Sequence, residues 1–188
     1  MEMTEILKII NGPLYGYIYI IKMKIPFGPE RIKVGLILRE SKFLHGILYS
    51  IEAWHNFPIR EVLKFERLDQ ILIRNICFRA HSKMPIEFLH METSMLKIRF
   101  ILASRRIMYL KSILQKDSQE LMLKIYFAQK SDPLKGDFYK LVQEDKNLID
   151  LNMEDDDILS MGLEQFRNIL KNKVTETCIK YLNKVQKP

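Results

Sequence analysis

Four consecutive acidic residues, Glu154–Asp157, form the densest cluster of ionisable side chains in the sequence. Carboxylates catalyse phosphoryl transfer when they converge on two metal ions about 3.5–4 Å apart. Consecutive residues of one helix point in different directions instead, and acidic residues in a first helical turn are stabilised by the helix dipole. We therefore expect this cluster to begin a helix after an Asn152 cap and not to hold a metal ion.

The histidines and cysteines complete no catalytic or metal-binding motif. Cys77 and Cys178 are far apart, and no histidine pair has the i, i+4 spacing of a zinc-binding helix. The sequence also lacks a glycine-rich phosphate loop and a nucleophile elbow. We expect no cofactor, no catalysis by the isolated chain, a core position for Cys77, and a reducing, intracellular compartment, either nucleus or cytoplasm.

Basic side chains offer a different chemistry, because they attract phosphate groups whatever the base sequence. The net charge of the 188-residue chain is +7, and residues 61–116 contain 11 basic and 5 acidic residues. Residues 117–188 contain 11 basic and 13 acidic residues. The positive charge therefore lies in the first two thirds of the chain, where it favours either a nucleic-acid backbone or a solvated basic surface.

The first long helix, predicted over residues 30–54, has an apolar face and a basic face. The apolar face consists of Leu36, Ile37, Phe43, Leu44, Ile47, Leu48, Ile51 and Trp54. The opposite face consists of Arg39, Lys42, His45, Gly46 and Tyr49. Since glycine permits a close approach, this second face is a candidate for contact with a nucleic-acid backbone.

Further basic candidates follow on neighbouring elements. In the helix predicted after Pro58, Lys64, Arg67 and Arg74 project from the polar side, and His81 and Lys83 lie in a predicted loop. The full basic set is Arg39, Lys42, Lys64, Arg67, Arg74, Arg79, Lys83, Arg99, Arg106 and Lys111. A solvated face is the alternative interpretation of each.

The elements that position these residues are predicted to be helical after a short N-terminal strand over Tyr15–Ile25. The later helices are predicted near 85–91, 96–116, 118–130 and 133–146, after Asn152, and at 161–185. We expect an all-α, multi-helix bundle with segments 1–29, 30–116 and 117–188. No apolar run of about 18 residues predicts a membrane span, and no secretory signal is recognised.

The helix at 96–116 has apolar residues on two sides, which predicts burial between neighbouring helices. Arg105 falls within one apolar stripe, and Glu40 falls within the apolar arc of the first helix. Because a buried guanidinium needs a carboxylate, we hypothesise that Glu40 and Arg105 form an ion pair. The alternatives are solvent exposure or another partner among Glu52, Glu87 and Glu92.

Several stretches resemble the part of non-LTR retrotransposon reverse transcriptases that follows the polymerase palm. They are Ile25–Gly28; Leu36–Trp54, with its Leu-Arg-Glu-Ser and Glu-Ala-Trp pieces; Leu68–Arg74; His81–Lys83 with Glu87–Leu89; Ile98–Ile107, with its paired Arg105-Arg106; Ala128–Lys130; and Gly136–Lys146. Together they span about four fifths of the chain. The resemblance implies thumb-like helices, with residues 30–78 beside the template–primer duplex.

The sequence departs from that family at its catalytic motif. No Tyr/Phe-x-Asp-Asp hairpin is present, the turn around Glu92 differs from the usual pattern, and a downstream Cys/His element is missing. We therefore expect a truncated, non-catalytic fragment that binds RNA or an RNA–DNA duplex and formerly packed against a palm domain. The alternative is a helical structural or protein-interaction domain with no nucleic-acid role.

Overall fold

The computed structural model describes residues 28–45, 59–74, 84–93, 95–134 and 137–185. These residues form α-helices, short π-helical stretches and no strand, which confirms the all-α prediction for this part of the chain. The predicted N-terminal strand and Cys77 lie outside the described residues. The elements are α1 (Pro29–Leu38), the π-helical turn (Arg39–Leu44), α2 (Ile59–Leu72), α3 (Ile86–Glu92), α4 (Ile98–Leu114), α5 (Leu121–Ser131), α6 (Phe138–Leu148), α7 (Asp155–Ser160) and α8 (Leu163–Val185).

The helices belong to two compact units. The N-terminal unit contains α1, α2 and α3, and the C-terminal unit contains α4 to α8. The change of unit between Met95 and Leu96 falls inside the predicted segment 30–116. The three-part division of the chain stays a prediction.

The core of the N-terminal unit is built on helical spacing. On α2 the apolar residues Val62, Phe65 and Leu72 are buried at intervals that return to one side of the helix. Phe43 and Leu44 are buried on the π-helical turn. A turn after α3 is closed by the buried ring of His90, whose Nδ1 lies 3.0 Å from the main-chain oxygen of Met95.

The C-terminal unit is organised around α4, which packs against α5, α6, α7 and α8. One predicted apolar stripe of α4 is buried almost throughout, and only half of the other is buried. Fully buried residues of the first are Phe100, Ala103, Ile107 and Leu110; in the second, Ile98, Leu102 and Ile113 are buried, and Ile101, Met108 and Tyr109 are half-buried. The long helix α8 contributes a stripe in which every fourth residue is buried: Phe166, Leu170, Val174, Cys178 and Leu182. None of the described helices has the length and apolar character needed to cross a membrane.

Candidate nucleic-acid interface

Charges of opposite sign are separated on the two sides of α2. Lys64 and Arg67 are exposed, and Arg74, just after the helix, is half-exposed. The spacing of three residues places Lys64 and Arg67 on one side, here called the basic face of α2. The acidic residues Glu66 and Asp69 are buried on the opposite side. Within residues 62–74, the side that meets solvent is therefore positively charged.

Asp69 is buried because it binds Arg39. The Nε atom of Arg39 donates a 2.7 Å hydrogen bond to Oδ1 of Asp69, and Nη2 donates another of 2.7 Å to Oδ2. The side chains are 3% and 2% exposed. This bidentate geometry is the strong form of a charge-assisted hydrogen bond. The pair joins the π-helical turn to α2 and neutralises the acid below the basic face.

The predicted position of Arg39 on an exposed face is therefore wrong. Arg39 and Phe43 are buried, whereas Ile37, predicted to be apolar core, is 53% exposed. Ile37 belongs to α1, before the π-helical turn, and Arg39 continues a buried side that α1 begins with Arg31 and Gly35. The side of this helix that faces the interior is therefore not the side with the most apolar residues.

Two other candidates of the first predicted basic face, Lys42 and His45, lie within the residues that the structure describes. Lys42 and His45 are exposed on and after the π-helical turn, within the same unit as the basic face of α2. Gly46, Tyr49, His81 and Lys83 lie outside the described residues. Contact of any of these residues with nucleic acid stays a prediction.

For the predicted ion pair between Glu40 and Arg105, the structure gives the exposure of each residue. Glu40 is exposed and Arg105 is half-buried. The residues next to them in sequence, Arg39 and Arg106, are buried, and they pair with Asp69 and Asp145. The pairing of Glu40 with Arg105 stays a prediction. At each of the two positions, the neighbouring arginine is the buried charged residue.

Two basic candidates of the C-terminal unit belong to its core. Arg106 donates from Nε and Nη2 to the carboxylate of Asp145, at 2.5 and 2.9 Å. Lys111 is fully buried, and its ammonium donates to the main-chain oxygens of Ile158 and Met161. These carbonyls lie at and just after the end of α7, where the helix dipole favours a cation. The prediction that Arg106 and Lys111 belong to a basic surface is wrong.

The acidic cluster has a structural explanation. Glu154 and Asp157 form a capping box at the start of α7, so Glu154 replaces the predicted cap Asn152. Asp155 accepts hydrogen bonds from Tyr126 at 3.0 Å and from Lys130 at 2.7 Å, which ties α7 to α5. Burial and the nearby carboxylate raise the pKa of Tyr126, so its hydroxyl stays a proton donor.

Asp155 gives a pH-dependent prediction. Burial alone would raise its pKa, but hydrogen bonds from Lys130 and Tyr126, with the charges of Lys130 and Lys146, hold the pKa below 3.8. A folded-state pKa below the unfolded value stabilises the fold above the unfolded value, and this contribution is lost as pH falls through the folded one. We expect Asp155→Asn to cost about 2 kcal/mol at pH 7, and less below about pH 4.

Urea denaturation of both proteins between pH 3 and 7 measures this difference. Asp156→Asn is the matched control, because Asp156 is exposed in the same helical turn and loses only a dipole interaction of about 0.5 kcal/mol. A cost of Asp155→Asn that does not change with pH would contradict the role assigned to its carboxylate.

Asp69 and Asp145 are the important residues that the sequence analysis missed. A signal for Asp69 is present, since it lies four residues after Phe65 and three before Leu72, on the apolar side of its helix. An acid in such a position predicts a buried cation as its partner. Which arginine supplies that cation depends on how the helices pack, and the sequence alone does not determine it.

Within the described residues, no group of three or more His, Cys, Asp or Glu side chains is arranged to hold a metal ion. Comparison of the chain with protein-family models, with curated proteins and with solved structures gives no match.

Proposed function

We propose that the protein binds the sugar–phosphate backbone of RNA or an RNA–DNA duplex through the basic face of α2. The observation that carries the proposal is the separation of charge on this helix. Lys64 and Arg67 meet solvent, while Glu66 and Asp69 are buried. Burying the acids removes the repulsion that they would otherwise exert on a phosphate close to the helix.

The chemistry suits recognition of the backbone and not of bases. Lysine and arginine neutralise phosphates and release the counterions around them, which supplies affinity without sequence preference. Phosphate contacts fix position and orientation on a duplex but do not read its sequence. Lys42 and His45, exposed in the same unit, are proposed as additional contacts.

The proposal agrees with the resemblance to the helices that follow the palm in non-LTR retrotransposon reverse transcriptases. In that setting, helices beside the template–primer duplex hold its backbone while catalysis takes place elsewhere. We accordingly propose a non-catalytic, intracellular role, with a palm domain as a further partner.

Removing two charges from the basic face tests the proposal. At 0.15 M salt, each neutralised phosphate contributes a factor of about 5 to the affinity for a duplex. The double variant Lys64→Gln/Arg67→Gln should therefore bind an RNA–DNA duplex about 30-fold more weakly than the unchanged protein. Fluorescence anisotropy with a labelled duplex measures this difference, and circular dichroism checks that helicity is preserved.

A matched variant separates a local effect from net charge. Lys171→Gln/Lys180→Gln removes two exposed charges from α8 and lowers the net charge by the same amount. It should retain nearly all of the affinity. Equal weakening by both double variants would mean that α2 is not the contact surface.

A second candidate function is protein interaction through α5. Several large apolar side chains on and near this helix are exposed: Leu121, Met122, Ile125, Phe127 and Leu134. A cleft of about 190 Å³ lies beside them, with Tyr109, Ile113 and Phe138 in its wall. Exposed apolar patches of this kind often mark interaction sites. Absence of duplex binding, together with self-association that Ile125→Asp abolishes, would favour this second function.

A further inference from the structure

The first turn of α1 has main-chain donors that no cap side chain satisfies. Its N-cap residue is Gly28, and no side chain makes a capping hydrogen bond there. Pro29, at the first helical position, has no N–H group, so the N–H groups of Glu30 and Arg31 are the donors at this end. Main-chain N–H groups at the start of a helix, with the positive end of its dipole, attract anions.

Arg31 adds an independent observation in the same turn. The residue is only 8% exposed, and its buried Nε has no hydrogen-bond partner among the residues that the structure describes. Side chains of an α-helix lean towards its N-terminus, so we expect that of Arg31 to extend towards the donors at the start of α1. A buried guanidinium group is stable when an oxyanion accepts its hydrogen bonds.

The start of α1 is open to solvent or a ligand beside Gly28. A Cβ atom added to Gly28 would have no other atom within 4 Å. The φ angle of Gly28 is 165°, an extended conformation that other residues also adopt. An anion can therefore approach the N-terminal donors from this side, and a larger residue at position 28 can occupy the same space.

We propose that the start of α1 binds one phosphate group through the N–H groups of Glu30 and Arg31 and the guanidinium of Arg31. The site stands independently of the proposed contact through α2. Two sources share this chemistry: a phosphate of a nucleic-acid backbone, and a free phosphate ion. The exposed carboxylate of Glu30 opposes the anion, so Glu30→Gln should tighten binding.

A substitution at Gly28 tests the site without removing any donor. Gly28→Asp supplies an N-cap carboxylate that accepts the N–H groups of the first turn. The variant should lose binding of inorganic phosphate while its melting temperature rises by about 1 °C. A purely structural role for this turn predicts the rise in stability without any phosphate binding to lose.

Titration of inorganic phosphate, followed through the amide resonances of Glu30 and Arg31 by NMR, measures the binding. We expect saturable shifts in the unchanged protein and in Gly28→Ala, which adds no acceptor. We expect none in Gly28→Asp or Arg31→Gln. Shifts of equal size in all four proteins, or no saturable shift in the unchanged protein, would overturn the proposal.

Duplex binding then distinguishes the two sources of phosphate. If a backbone phosphate occupies the site, Gly28→Asp should also lower the salt dependence of duplex binding by about one phosphate contact. If free phosphate is the ligand, duplex binding stays unchanged while phosphate binding is lost. Because Gly28→Asp leaves the basic face of α2 intact, failure of this site is distinguishable from failure of the α2 contact.

Discussion

Replacing Asp69 with alanine is expected to destabilise the N-terminal unit by about 3–5 kcal/mol. The change removes the carboxylate that accepts both 2.7 Å hydrogen bonds from Arg39, whose side chain is almost completely buried. A buried charge that loses its paired carboxylate is far more costly than a surface ion pair that is broken. A loss of this size is a large part of the total stability of a domain.

Hydrogen exchange measured on peptides from α2 reports this loss of stability in the N-terminal unit. Gln70→Ala is the matched control, since Gln70 is the half-buried neighbour of Asp69 on the same helix. The double variant Arg39→Met/Asp69→Leu should recover most of the protection, because it removes both charges together. Exchange as slow in Asp69→Ala as in the unchanged protein would contradict the role assigned to the pair.

In the C-terminal unit, Asp145→Ala is expected to cost a similar amount, about 3–5 kcal/mol. Arg106 on α4 and Asp145 on α6 form the corresponding bidentate pair. Burial raises the pKa of Asp145 even though Arg106 acts in the opposite direction. The attraction between the two charges therefore does not fully offset the free energy needed to remove the carboxylate from water.

The double variant Arg106→Met/Asp145→Leu follows from that balance. It should be as stable as the unchanged protein or more stable, because it avoids the desolvation of both charges. Urea denaturation of the single and double variants gives the coupling energy directly. A double variant as unstable as Asp145→Ala would contradict this balance, because the apolar replacements would then fail to restore the stability that Asp145→Ala loses.

These pairs also define which variants can test nucleic-acid binding. Arg39→Glu would place a carboxylate against buried Asp69 and disrupt the N-terminal unit. Loss of binding in that variant would therefore report unfolding and not a lost phosphate contact. Lys64 and Arg67 are suitable because their side chains are exposed.

Much of the helical architecture follows from the sequence. Helical periodicity predicts α2 after Pro58 and the buried apolar stripe of α4, because both patterns depend on spacing within one helix. The capped ends are predicted less well. The helix expected from residue 118 begins at Leu121, and the one expected from residue 133 begins at Phe138. Asp117 and Asp132 fit caps by residue type, but residue type alone does not fix the first turn.

The candidate interface is predictable only in part. Lys64 and Arg67 lie on one side of α2 because an ideal helical wheel applies there. Arg39 is misplaced because apolar residue type alone does not identify the buried side of its helix. The partners of Asp69 and Asp145 depend on packing between helices distant in sequence. Periodicity therefore predicts a surface more reliably than it predicts the charges held inside.

The most direct test of the central claim is the dependence of RNA–DNA duplex affinity on salt concentration. The logarithm of the binding constant should fall linearly with the logarithm of salt concentration. The slope should be shallower by about two phosphate contacts in Lys64→Gln/Arg67→Gln than in the unchanged protein. Slopes that coincide in the two proteins, or affinity that does not respond to salt, would contradict backbone binding by the basic face of α2.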